Sequence, residues 1–394
     1  MTAGADEAGA PCLRVALLWG RIGPYHLARA SAGQRLIAQN GWGLALAEIC
    51  SRDAYDWKTE ALARPSWATT LFPGVDYAHL PASTIRVAVH EWLDSLCTDV
   101  VVINGWSVAE ARAALDWVAA RRSRRAVVMS ETRHEDARRW AWKEFGKRWL
   151  LRRVHAGLVG GRVHADYLAR LGVPRDRIFL GYNAVDNDYF RDSAAAHRSM
   201  GTQGRIGSGG PYFFACARLL ERKNFDGLLR AYTIYRRRVG QHAWNLVISG
   251  TGAEEARLRR LCSDLGLDDV VFWMGFLQYE ELPRWYAGAG AFIHPAKAEA
   301  WGLVVNEAAA CSLPLLVARS VGAASELLQD GVNGYSFNAW CDSEIADAMC
   351  RVGELDGPAL ARFGAAACAR VDDFGPRRFA QGLASAVGAA LGAS

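Results

Sequence analysis

No apolar run in this 394-residue chain approaches the roughly 20 residues that a membrane-spanning helix needs. Its nine cysteines, from Cys12 to Cys368, are scattered and odd in number, with no Cys-x-x-Cys pair and no Cys/His ligand spacing. That argues against a disulfide or zinc framework and for reduced core thiols in a cytoplasmic protein. The opening MTAGADEAGAPC has two acids and no basic stretch, so residues 1–12 read as a short disordered tail rather than a secretion signal. There is no internal repeat and no Gly-x-Gly-x-x-Gly dinucleotide fingerprint. No Asp-x-Asp metal motif is placed at a strand end, and no acid and base stand at glycosidase spacing. The excess of bases over acids, 46 to 41, is modest for this length and does not by itself imply a nucleic-acid partner.

What is present is a large core. Hydrophobic residues make up 51% of the chain and charged residues 22%, and domains of roughly 100 to 200 residues each imply two or three. In the first half, short apolar runs alternate with amphipathic ones: 13–19, 43–49, 100–103, 126–129, 156–159 and 177–180. This is the pattern of a parallel sheet covered on both faces, in which ligands bind beyond the carboxyl ends of the strands. Three such ends carry candidate residues. Gly20-Arg-Ile-Gly23-Pro follows the first run and leads into a helix with His26 in its first turn. Asn104 follows the third, and Ser130-Glu131-Thr-Arg-His134 follows the fourth.

The second half restarts at 212–217 after a stretch, 191–210, that is rich in Ser, Gly, Ala and Arg and reads as a linker. Arg218 and Lys223 flank a strand-to-helix turn. Bases at a helix start oppose the macrodipole unless an anion is present, so the pair points to a phosphate site. Gly250-Thr-Gly252 follows the next strand, and Gly275-Phe276-Leu277 the one after. Then comes KAEAWGLVVNEAAACSLP, residues 297–314, in which Glu299 lies in a loop and Glu307 on the second turn of an apolar helix. A helix start is a ready anion site, and acceptor-only carboxylates beside it suit a ligand that surrounds its phosphates with hydroxyls.

The Glu, seven residues, Glu spacing with Trp-Gly-Leu-Val inside it resembles the signature of the retaining GT-B glycosyltransferases of family 4. So do the Tyr-Asn183-Ala-Val-Asp186 segment and the order of the second-half motifs. Ala184, Ser312 and Val321 stand where the family more often has glycine. The resemblance implies two Rossmann-like doubly wound domains facing across a cleft. An acceptor-binding domain would span 13–190 and a nucleotide-sugar domain 211–373, with a last helix, 374–394, crossing back. It also implies a hexosyl transfer, with retention and without metal or cofactor, from a nucleotide-diphosphate sugar (UDP-sugar first, GDP-mannose second) to a hydroxyl acceptor. Arg218 and Lys223 would neutralise the leaving diphosphate. Glu299 would contact the sugar, and Glu307 the ribose. Gly23, Gly250, Gly252, Phe276, Leu277, Ala300, Trp301, Gly302, Leu303 and Val304 would complete the donor site. His26, Asn104, Glu131 and His134 would face the acceptor, with Glu131 or His134 replacing the family's usual histidine. Two rivals stand beside this reading: another GT-B enzyme such as an epimerase or phosphorylase, and a non-catalytic basic binding protein.

Between Arg133 and Arg153 lie eight Arg or Lys residues and only three acids, with Trp142, Phe145 and Trp149 on one helical face. Either the aromatics are core and the bases a solvated face, or the segment contacts an anionic membrane or a lipid-linked or anionic acceptor.

Overall fold

The computed structural model describes residues 13–52, 57, 64–137, 139–206 and 209–392. The expected N-terminal tail and Arg138 lie outside the described residues. Two all-parallel sheets carry the fold. The first has seven strands in the order β3-β2-β1-β4-β5-β6-β7: β1 Leu13–Trp19, β2 Trp42–Arg52, β3 Ala68–Asp76, β4 Val100–Asn104, β5 Arg125–Ser130, β6 Ala156–Val159 and β7 Ile178–Leu180. The second has six in the order β10-β9-β8-β11-β12-β13: β8 Tyr212–Cys216, β9 Asn245–Ser249, β10 Val271–Gly275, β11 Ala291–His294, β12 Leu315–Ala318 and β13 Gly334–Phe337. The central strands are nearly continuous apolar runs because helices cover both faces. In each sheet the strand order reverses beside the first strand, at β1/β4 and at β8/β11. The crevice at such a reversal is where ligands bind.

Three strands are absent from the sequence reading. β3 is an edge strand holding Pro73 and Gly74 and is largely half-exposed, while β12 and β13 are only four residues each. The linker reading of 191–210 is corrected: Asn187–Ser199 is a helix whose Phe190 and Ala194 are buried in the second domain's core. Those two residues, four apart, are its whole apolar stripe, too little to stand out among Ser, Ala and Arg. The chain therefore leaves the first domain at Tyr182–Val185, earlier than the sequence suggests. It returns between Phe374, in the second core, and Phe379, in the first, as the helix Pro376–Leu391 packs along Pro24–Gln39.

The helix Ala141–Leu151 decides between the two readings of its aromatics. Its aromatic face is not core: Trp142, Phe145 and Trp149 are 68%, 70% and 54% exposed, and Leu151 is the helix's one buried residue. The helix is anchored instead by a polar contact, in which Lys147 reaches both Glu144 and the Tyr167 hydroxyl.

Candidate active site

The end of β8 builds the phosphate side. Leu219 donates its backbone N–H to Thr251 O, and the chain makes a tight turn at Glu221–Lys223 into Asn224, which takes the left-handed conformation at φ +60°. Asparagine tolerates that region, and here its buried amide donates to Pro295 O and Ala339 O, tying the turn to the end of β11. The turn points Lys223 inward, buried, where its ammonium pairs with Glu299; Arg222 lies 3.7 Å from the same carboxylate. Burial, then the neighbouring Arg222 and Arg218, pull Lys223 down to about 7, with Cys216 and Glu131 acting against them. Arg218, Lys223, Glu299 and Glu307 all line one pocket of about 310 Å³.

Gly250, Phe276 and Leu277 line the same pocket, as do Gly302, Leu303 and Val304 at a helix start whose first amides lack intrahelical partners. Gly250 has φ +135°, and a Cβ there would collide with Ala217 O, so only glycine lets the β9 loop approach the β8 turn. Four expected donor residues fall elsewhere. Gly252 packs on the Leu219 backbone, and Gly23 lies in the first-domain pocket. Ala300 O accepts from His164 Nε2 at 2.9 Å. Trp301 is 1% exposed, with its indole N–H on Asn306 and its ring against Gly160 and Gly161. Its size explains the correction: the ring fills the interdomain seam, where only glycine leaves room.

Glu307 is fully buried. Its carboxylate accepts from Tyr286 Oη at 2.8 Å and, across the cleft, from Tyr25 Oη of the first domain at 2.5 Å. Burial lifts it to about 7 while the two hydroxyls pull the other way. Tyr25 belongs to the Pro24–Gln39 helix, 282 residues away in sequence, and no local pattern identifies it as a partner.

The first-domain pocket, about 740 Å³, adjoins the pocket of Arg218 and Glu307, the two sharing Tyr25, Trp57, Glu131 and Leu303 as walls. His26, Asn104 and Glu131, the residues expected to face the acceptor, line it together with Gly23. His26 accepts the Gly23 N–H at Nδ1, 3.1 Å, leaving Nε2 as the protonated nitrogen. Burial, then Arg29 and Arg21, pull this imidazole down to about 3, so it stays neutral. Asn104 Oδ1 accepts from Tyr182 Oη at 2.8 Å. Glu131 is open to the cleft's water but walled by both domains, and that enclosure raises its carboxyl against the pull of Arg29. His134 is outside both pockets, its ring 5.9 Å from that of Tyr167. Three residues of loop carry it out of reach. Sequence reasoning missed Tyr77 and Glu110, which share a 2.6 Å hydrogen bond in this pocket, and Arg29, which donates to Ala184 O. Glu110 lies inside an alanine-rich helix and gives no local signal.

The domains also meet away from the cleft, where Glu326 accepts the Arg162 N–H at 2.9 Å, a carboxylate on a first-domain helix start, and Arg133 donates to Ser320 O. Among the described residues there is no cluster of His, Cys, Asp or Glu suited to a metal. The Asp186-Asn187-Asp188 triplet starts a helix: Asp186 caps it and Asp188 pairs with Arg191.

Residues 202–369 match the family model described as glycosyl transferases group 1. That match covers the second domain and stops short of the first. Arg218, Lys223, Glu299 and Glu307 lie within the matched span. The chain is 33% identical over 175 residues to the GDP-mannose-dependent alpha-(1-6)-phosphatidylinositol monomannoside mannosyltransferase of Mycobacterium tuberculosis, covering 43% of this chain and 44% of that protein. It is 33% identical over 222 residues to D-inositol 3-phosphate glycosyltransferase 2 of Catenulispora acidiphila, covering 54% of this chain and 50% of that protein. The match thus spans about half the length of these curated relatives. At the level of fold, Anabaena HepE, solved with UDP and glucose, superimposes with a TM-score of 0.72 at 16% identity, over 95% of this chain and 99% of that one. Sucrose-phosphate synthase of Thermosynechococcus elongatus gives 0.75 at 17%, over 97% and 100%. The architecture is GT-B: two Rossmann-like domains around one cleft.

Proposed function

We propose that the protein transfers a hexosyl group, with retention and without a metal ion, from a nucleoside-diphosphate sugar to a hydroxyl acceptor. The observation that carries this is the joining of the two pockets: Arg218, Lys223, Glu299 and Glu307 line one side, and the shared wall of Tyr25, Glu131 and Leu303 opens onto a second, polar pocket. An epimerase or a binding module has no use for that second chamber. The diphosphate sits between Arg218, Lys223 and the first-turn amides of the Leu303 helix, and the sugar lies toward Glu299. The bond from anomeric carbon to phosphate oxygen breaks with its electron pair going to the β-phosphate. The acceptor oxygen bonds to the same face of that carbon, and its proton passes to the departing phosphate. Fixed positive charge aimed at the oxygen where negative charge develops is the largest catalytic term available to such a site. Glu131, with Arg29 and neutral His26 beside it, orients hydroxyls at the junction of the pockets.

The relatives' names supply GDP-mannose as one donor class and an acceptor rich in hydroxyls, lipid-linked or phosphorylated, and the fold neighbour solved with UDP and glucose supplies UDP-sugars as the other. A thermal-shift series with UDP, GDP and their sugar conjugates in chelator separates them, because a ligand of the native state raises the melting point. The expected result is a shift with one nucleotide and release of that nucleotide from its sugar conjugate when a polyol acceptor is added. No shift with any, in a folded sample, rules the reading out.

A further inference from the structure

At the opposite end of the first sheet, where β5, β6 and β7 begin rather than end, seven arginines and His155 line a concavity of about 530 Å³ that contains no acidic residue. Two of the arginines have carboxylate partners: Arg124 pairs with Asp94, and Arg153 with Asp116 at 2.6 Å. Arg121, Arg122, Arg152 and Arg177 are exposed and have no acidic partner among the described residues. Three helices, Ala109–Ala119, Ala141–Leu151 and Pro376–Leu391, end at or beside this hollow. The negative ends of their dipoles account for arginine as a residue type here. Dipoles alone do not require four unpaired guanidinium groups around one hollow.

The exposed aromatic ridge adjoins it. Trp149 lies under the Arg153 guanidinium, 5.0 Å from carbon to ring centroid, and Arg152 and Arg153 continue from the ridge helix into the hollow's wall. Trp142 carries Lys143 over its ring at 5.2 Å, and Phe145 completes the face. We propose that this combined face docks the protein on an anionic lipid bilayer, with Trp142, Phe145 and Trp149 in the boundary between headgroups and acyl chains and the arginine hollow over lipid phosphates. Charge complementarity selects an anionic surface. The ridge selects a bilayer among anionic surfaces: apolar rings standing out from a convex helix gain by entering a soft apolar layer, whereas a nucleic acid would engage the hollow and leave them in water. No helix among the described residues is long and apolar enough to cross the bilayer, so the contact is peripheral.

Flotation with vesicles of phosphatidylcholine alone, and of phosphatidylcholine and phosphatidylglycerol in equal parts, tests this on the full chain. Two double variants, Trp142→Ala with Trp149→Ala and Arg122→Ala with Arg152→Ala, alter only exposed side chains, and matching thermal melts verify that they fold. The expected result is salt-sensitive flotation with the anionic vesicles only, weakened about fivefold for each arginine removed, and weakened independently by the tryptophan changes. Nucleotide release in the cleft with a water-soluble acceptor stays unchanged in both. Flotation with neither vesicle, or unaffected by the tryptophan changes, overturns the proposal. So does a short DNA duplex that competes for the arginines while the tryptophan variant binds vesicles normally, which would assign the hollow to a polyanion in solution.

Discussion

The cleft pocket and the arginine hollow hold cations beyond opposite ends of the first sheet's strands and treat them in opposite ways. In the pocket, Lys223 is buried and meets Glu299, because an isolated ammonium there would lose its water without compensation. In the hollow, four arginines stay exposed and meet no acid among the described residues. Enclosure is the difference: a buried charge must be matched within the chain or lose its proton, whereas an exposed one can wait for an external partner. On the two proposals above, the cleft charges serve a small ligand and those on the far side a surface.

The sharpest way to break this contrast is to delete the enclosed charges. Arg218→Ala or Lys223→Ala should lower kcat about a hundred- to a thousandfold, the usual cost of losing one preorganised charge contact to a developing anion; steady-state turnover checks it, and an undiminished kcat removes both from the reaction. Next in size is the pH dependence of stability. Burial raises Glu307 to about 7 from an ordinary value of 4.5, so between those limits the folded state holds a proton that the unfolded state has lost. Stability should fall as pH rises across that window, by on the order of 3 kcal/mol, and level off above it. Denaturant titrations should show the slope in the native sequence and lose it in Glu307→Gln.

Donor affinity should show the complementary trend. With Lys223 lowered to about 7, the free protein above that pH must take up a proton to meet the diphosphate, so Kd should rise with pH by up to about tenfold per unit. Calorimetry of nucleotide binding in buffers of different ionisation enthalpy would register the uptake. Affinity that does not change with pH would show that Glu299 keeps the ammonium charged throughout. The smallest expected effect is that of Tyr25→Phe. This releases one Glu307 oxygen from its cross-cleft hydrogen bond. If Glu307 serves the ribose, donor Kd should tighten severalfold, roughly the worth of one hydrogen bond that no longer competes; a weaker Kd would place the Tyr25 hydroxyl among the donor's own contacts.

The comparison also marks how far local pattern reaches. Arg218, Lys223, Glu299 and Glu307 could be singled out from strand ends and the resemblance together, and the parallel sheet brings all four to one pocket. The choice between Glu131 and His134 was not, since three loop residues decide whether a side chain reaches the junction of the pockets. Trp301 sits inside the signature yet turns into the interdomain seam, because the space against Gly160 and Gly161 accepts a ring that the pocket does not need. Trp142, Phe145 and Trp149 have the same helical spacing whether they face core or water. Only the absence of a packing partner distinguishes the two, and a single helix carries no information about its neighbours.

By itself, the sequence determined the alternation of buried strands and helices, the two sheets, and the placing of Arg218, Lys223, Glu299 and Glu307 just beyond strand ends. Periodicity, turn chemistry and strand ends are local properties. Only the tertiary structure decided that Tyr25 closes on Glu307 from the other domain, that Tyr77 and Glu110 complete the second pocket, and that the aromatic ridge runs into the arginine hollow. Those relations join residues tens to hundreds of positions apart, and they exist only once burial has set which faces meet.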